Sequence, residues 1–416
     1  MAPDTNGPPE LQDIIPSLSS PHEEGSQDNG VSTTITPRCV ASSGLEDSPF
    51  YQAQFSADGT TIITHSANSS LRTFILPIDL LDDSKQPHGL SSTCTIPSPS
   101  ALQSYALYPH FNLADPSTAV LLRASTDLPI TLINAISGQP MNAKYQLIDP
   151  MTEAYIAPNS LVWTPDGLRF VAGSRNQISV FDAHRYNEGP VLTHKTTNSK
   201  RQKKLYGGMS GCSGLIMALS ISPDGLLAAG TTEGQIALYD GVANTECWTS
   251  FSIANTVLER RHVGGGVTQL AWSPDGTYLL AAERQSDGVH VYDIRNTSRY
   301  VSFLAGRRTR TPQRMGVDVV PTADGYELWA GGMDGCVRMW KNPGSIEGEH
   351  RPDAESKMHD DPISSAVWHP LGAVMATCAG LRRVSPTSSN EDDGESADDD
   401  DVNAGVPDNS LKIWTI

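Results

Sequence analysis

The chain has 416 residues, with 47 acidic against 29 basic side chains, a formal net charge of −18 and a hydrophobic content of 38%. That balance argues against wholesale electrostatic attraction to nucleic acid and leaves a local basic face as the route to it. No apolar run approaches the roughly 20 residues of a membrane helix, the N-terminus lacks the segments of a secretory leader, and the six cysteines form no Cys-x-x-Cys pair, so a soluble nuclear or cytoplasmic chain with reduced thiols is expected, with neither zinc nor a disulfide framework.

In chain order, residues 1–31 carry almost no aromatic or β-branched material and read as a disordered tail, and 31–36 is a β-branched stretch of strand character. A phrase then recurs: Phe55-Ser56-Ala57-Asp58-Gly59, Trp163-Thr164-Pro165-Asp166-Gly167, Ile221-Ser222-Pro223-Asp224-Gly225, Trp272-Ser273-Pro274-Asp275-Gly276, Pro321-Thr322-Ala323-Asp324-Gly325 and a degenerate Trp368-His369-Pro370-Leu371-Gly372. Asp-Gly suits a tight turn between two strands, because Gly accepts positive φ and Asp bonds nearby backbone. Each copy is followed by an alternating strand, at 71–76, 178–182, 236–240, 289–293, 337–340 and 411–414. The gap between Gly59 and Trp163 is about twice the usual period, and a weak copy fits there, with strands at 120–124 and 130–134. About seven units at a period of roughly 50 residues predict an all-β, seven-bladed β-propeller of WD-repeat type over residues 32–416, as one domain.

The last unit is interrupted by an acidic segment, 385–409, expected to be extended and disordered because like charges repel. It also stops at its third strand, Leu411 to Ile416. A blade left so would expose an unpaired edge, so the N-terminal stretch 31–36 is expected to supply the fourth strand and latch the ring.

No phosphate loop, nucleophile elbow or His-Glu-x-x-His pattern is present, and Gly207-Gly208-Met209-Ser210-Gly211 lacks the following Lys-Ser/Thr pair, so neither catalysis nor a cofactor or metal is expected. Four basic clusters stand against the acidic background: Lys200, Arg201, Lys203 and Lys204; Arg260, Arg261 and His262; Arg307, Arg308, Arg310 and Arg314; and Arg382 with Arg383. Naming the strands of a blade a to d from the axis outward, the first three clusters fall in d-to-a connections and the fourth in a b-to-c connection, which emerge at one end of the ring. Arginine offers a planar fork of donors suited to phosphate and to stacking on bases, and this is the physical case for RNA. The competing readings are that exposed loops are where Lys and Arg ordinarily reside, and that the ring is a protein-only scaffold. His262 and His359 precede first strands of blades, where a structural histidine bonding neighbouring strands is expected, and Trp163, Trp272 and Trp368 read as core. Ser388 and Ser389, followed by acids, are candidate phosphorylation sites that would strengthen competition between the acidic segment and RNA for the arginines.

The segment Thr64-His65-Ser66-Ala67-Asn68 with Leu71-Arg72-Thr73-Phe74-Ile75-Leu76-Pro77, then Leu128-Pro129-Ile130, Arg261-His262-Val263-Gly264-Gly265-Gly266-Val267-Thr268, and Gly380-Leu381-Arg382-Arg383 ahead of an acidic stretch, resembles the telomerase Cajal-body WD-repeat protein family from residue 48 onward. The family pattern has Asp where this chain has Asn68. The resemblance implies a nuclear, RNA-binding role in assembling or localising small ribonucleoproteins, with small Cajal-body RNA (scaRNA), telomerase RNA or spliceosomal snRNA as partner, together with ribonucleoprotein proteins; a monomeric chain is expected. It adds Arg284 as a b-to-c arginine on the same rim and His262 as a matching family position.

Overall fold

The computed structural model describes residues 33–34, 36–197, 211–242, 247–296, 299–381 and 407–416. Seven sheets follow one another around a ring, each built on four antiparallel strands, and three of them carry a short parallel strand at the outer edge. Blade 1 is built from Phe50–Phe55, Thr61–Ser66, Ser70–Ile75 and Cys94–Pro97. Blade 2 comprises Leu102–Leu107, Val120–Ser125, Ile130–Asn134 and Pro140–Tyr145, so the weak repeat copy is a full blade. Blade 3 uses Ser160–Trp163, Arg169–Ser174, Gln177–Asp182 and Leu192–Lys195, and blade 4 uses Ile216–Ile221, Leu227–Thr231, Gln235–Tyr239 and Cys247–Ser252. Blade 5 contains Val267–Trp272, Tyr278–Glu283, Gly288–Asp293 and Arg299–Ala305; blade 6 contains Val317–Thr322, Gly325–Gly331, Cys336–Lys341 and Ala354–Lys357. Blade 7 joins Ile363–Trp368, Met375–Ala379 and Leu411–Thr415 to an N-terminal strand.

That closing strand is Arg38–Ser42, paired antiparallel with Leu411–Thr415, and not the 31–36 stretch. Thr33–Thr34 instead runs parallel to Ala354–Lys357 on the outer edge of blade 6. Burial decides the register: Val40 and Ala41 are fully buried in the wedge between blades 7 and 1, and two such side chains outweigh the β propensity of the preceding threonines. Short parallel strands also cover blade 5, with Gly348–His350, and blade 7, with His88–Gly89.

The hydrophobic core is divided into seven wedges, one at each joint between consecutive blades. Trp163 and Trp272 are buried in two of them, and Trp368 packs on a third. Inner strands are stitched side to side by polar bonds. Ser160 Oγ donates to Ile216 O at 2.8 Å, Gln269 exchanges two bonds with the Val317 main chain at 2.7 and 2.9 Å, and Ser364 Oγ donates to Phe50 O at 2.8 Å across the closing joint.

The Asp-Gly phrases form the a-to-b turns, as their chemistry requires. In the first, Asp58 Oδ1 accepts from Ser56 Oγ at 2.6 Å and Thr60 N at 3.1 Å, while Gly59 takes φ +72°. His359 is a structural histidine: Nδ1 lies 3.0 Å from an Asp408 carboxylate oxygen, Nε2 lies 2.7 Å from Thr377 Oγ1, and the Trp414 indole donates to the same hydroxyl at 2.7 Å. Burial lowers the His359 pKa and keeps it neutral, and Asp408, although burial opposes its charge, is held well below the usual carboxylate range by bonds from His359 and Ser410.

Candidate nucleic-acid interface

Three of the basic segments meet at one end of the ring, where d-to-a and b-to-c connections emerge. The first is the connection into blade 5, where a one-turn helix, Val257–Arg260, is fixed by a reciprocal cap: Glu259 N donates to Thr256 Oγ1 at 3.1 Å and the Glu259 carboxylate accepts from Thr256 N. The Tyr292 hydroxyl donates to Glu259 Oε1 at 3.1 Å, anchoring this turn to the blade and leaving Arg260 and Arg261 exposed. The second is the b-to-c turn of blade 5, carrying Arg284; Arg284 N donates to Gly266 O at 2.9 Å, tying it to the first. The third is the connection into blade 6, tied to that turn by Gln285 N donating to Thr311 O at 3.2 Å and by Thr309 Oγ1 donating to Ser286 O. In the connection into blade 5, glycine is required at 266, because a Cβ there, at φ +94°, would lie 2.3 Å from Thr232 O.

The named arginines have different fates. Arg307 is 1% exposed; its Nη2 donates to Gly316 O at 2.6 Å and its Nε to Gly331 O at 3.3 Å, and burial pulls its pKa down to about 9. It clamps main chain and has no surface to offer a phosphate, which corrects its expected place among the exposed cations. Arg314 Nη2 donates to Thr268 O at 3.3 Å and also to Met217 O, so this side chain bonds the inner strands of blades 4 and 5. Burial first and the nearby Arg284 charge second bring the Arg314 pKa down to about 10. Arg308, at φ +57°, pairs with Asp334 at 3.2 Å. Among the described residues, Arg260, Arg261, Arg284 and Arg310 have no carboxylate partner; elsewhere Arg38, Arg72, Arg185, Arg295 and Arg299 each have one, while Arg123, Arg169, Arg175 and Arg351 have none, and Arg260 Nε donates to Ala254 O at 3.0 Å.

Among the described residues the His262 ring makes no hydrogen bond of the kind expected of it, although its main-chain O accepts from Ser286 Oγ at 3.3 Å. Its ring stacks on Phe303, with centroids 4.0 Å apart and planes 18° apart, and its pKa is lowered chiefly by burial. Lys200, Arg201, Lys203, Lys204, Arg382, Arg383, Ser388 and Ser389 lie outside the described residues, although Gln313 Nε2 donates to Gly380 O at 2.9 Å, just before Arg382.

Sequence reasoning missed two residues at this end. Arg338, 2% exposed, donates to both oxygens of Asp334 at 3.0 and 2.6 Å, so Asp334 holds Arg338 and Arg308 together. Only its place at a strand position after the Asp334 turn marked it. His65, at the end of strand b in blade 1, is pushed down to about 4 by burial and by the charge of Arg314, and stays neutral at physiological pH. Among the described residues, no group of three or more His, Cys, Asp or Glu is placed to hold a metal ion, and no helix is long and apolar enough to cross a membrane.

The family described as WD domain, G-beta repeat matches residues 256–293, the connection and first three strands of blade 5. The chain is 26% identical over 404 residues to Telomerase Cajal body protein 1 of Bos taurus, covering 94% of this chain and 70% of that protein. The Homo sapiens protein of the same name is 26% identical over 401 residues, with 94% and 67% covered. Guanine nucleotide-binding protein negative regulator 1 of Schizosaccharomyces pombe is 29% identical over 371 residues, with 88% of each chain covered. The chain is a WD-repeat β-propeller protein, homologous over most of its length to proteins named Telomerase Cajal body protein 1.

Proposed function

We propose that the basic end of blades 5 and 6 binds RNA, and that the chain assembles or localises small nuclear ribonucleoproteins in the nucleus, acting as a monomer on a scaRNA, telomerase RNA or snRNA particle. One observation carries this reading: in a chain of net charge −18, Arg260, Arg261, Arg284 and Arg310 share one end of the ring without carboxylate partners among the described residues. Unpaired guanidinium groups on a rigid frame meet phosphates without first breaking ion pairs, and their planar faces suit unstacked loop bases. Relatives named for telomerase and the Cajal body support the same direction. Lys200 to Lys204 and the Arg382 pair would extend the surface. Crosslinking the chain to RNA in cells and sequencing what is recovered tests the proposal: enrichment of a few small nuclear RNAs is expected, and recovery no greater than that of an unrelated acidic propeller refutes it.

The name of the Schizosaccharomyces pombe relative favours a second reading, in which the ring is an adaptor for proteins alone. That reading predicts intact protein complexes after ribonuclease treatment and no RNA at Arg261 or Arg284.

A further inference from the structure

At the opposite end of the ring, where a-to-b turns and c-to-d connections emerge, consecutive blades usually fill the space between their turns. His369 Nε2 of blade 7 lies 3.1 Å from Gly59 O of blade 1, Asp58 of blade 1 accepts from Leu113 N of blade 2 at 2.7 Å, and Tyr108 of blade 2 stands edge-on to Trp163 of blade 3 at 5.2 Å. Between blades 5 and 6 the corresponding space is open, a cavity of about 390 Å³ whose walls include Asp275, Tyr278, Asp324, Tyr326, Gly344 and Ser345. Such a volume matches small ligand sites.

The chemistry of its walls is directional. Asp324 is exposed, and its carboxylate has no hydrogen-bond or ion-pair partner among the described residues. Asp275 Oδ1 is held by Ser273 Oγ and Thr277 N, which fixes a second carboxylate at the mouth. Tyr278 and Tyr326 line the same space with ring centroids 6.5 Å apart and planes inclined by 33°. Tyr326 is 7% exposed, and its hydroxyl lies near the Gly344 main chain without meeting hydrogen-bond geometry to any described group. Tyr278 already faces one cation from within the chain, the Arg295 guanidinium carbon 5.8 Å from its ring centroid, but Arg295 spends its fork on Asp293 at 3.0 and 2.9 Å. Gly344 keeps the wall thin, since a Cβ there would lie 2.5 Å from the Tyr278 ring.

We propose that the cavity between blades 5 and 6 receives a cationic side chain, an arginine foremost, from a flexible segment of a partner protein, with the tyrosine rings contacting the guanidinium and Asp324 and Asp275 supplying its counter-charge. A guanidinium combines the flat face that an aromatic ring attracts with the donors that a carboxylate accepts. This site is independent of the RNA reading, because it sits at the other end of the ring.

The test measures binding of a fluorescent GRGRGRG heptapeptide to the full chain, beside its citrulline and lysine counterparts. Citrulline keeps the shape and removes the charge. Binding of the arginine peptide is expected to exceed that of the citrulline peptide at least tenfold and to fall at least tenfold in Asp324→Lys and in Ser345→Arg, which places a resident cation in the cavity; both positions are exposed and leave the fold intact. Glu233→Lys, an exposed acid at the other end, controls for bulk charge. An equal loss in Glu233→Lys, no loss in Asp324→Lys, or equal binding of the citrulline peptide would each overturn the proposal.

Discussion

At the scale of single residues, neighbours decide what a charged side chain does. Arg307 and Arg310 stand three positions apart in one basic run, yet the first is buried against main-chain carbonyls and the second is exposed without an acid. Sequence locates the run; only packing tells which guanidinium points inward, and the same limit hid Arg338. His65 gives this scale its prediction. An imidazole that titrates near 6.5 when unfolded titrates at about 4 here, because burial and Arg314 disfavour its charge. Between those values the unfolded chain takes up a proton that the folded chain refuses, so stability falls as pH drops through that window, by about 3 kcal/mol in total, and no further below it. An NMR pH titration should place the His65 midpoint near 4, and the His65→Gln chain should lose correspondingly less stability on acidification; a midpoint near 6.5 contradicts the assignment.

At the scale of elements, the repeat was legible because its turn chemistry is local. Ser56, Asp58 and Gly59 make one another's bonds within five residues, so the pattern survives without knowledge of the fold, and even the faint copy at Val120–Ser125 and Ile130–Asn134 was found by spacing. The closing strand is not legible in this way, because its identity is not local. Residues 31–36 have the stronger strand composition, but Arg38–Ser42 has the side chains that fit the wedge between blades 7 and 1. The latch is therefore expected to rest on Val40. Val40→Asp, which buries an unpaired carboxylate, should cost more than about 4 kcal/mol in chemical denaturation, whereas Arg38→Ala, at an exposed ion pair, should stay within about 1 kcal/mol. Equal costs would mean that the strand is held by its edge bonds rather than by its core face.

At the scale of the whole molecule, the ring carries two ends of different chemistry. Wedges of core at every joint make the frame rigid, and connections from separate blades are thereby brought together that lie far apart in sequence. One end bears Arg260, Arg261, Arg284 and Arg310 beside exposed acids such as Glu233, and the opposite end presents aspartates of the a-to-b turns. A propeller fold alone assigns no function; the proposed RNA binding rests on this arrangement and on the named relatives. The most direct measurement is the affinity of a small nuclear RNA hairpin for the full chain and for the triple variant Arg261→Glu, Arg284→Glu, Arg310→Glu, followed across salt concentration. The account predicts at least a tenfold weaker affinity and a salt dependence shallower by about two to three phosphate contacts in the variant, with unchanged stability. Equal affinity and an equal salt slope for the two chains would contradict it.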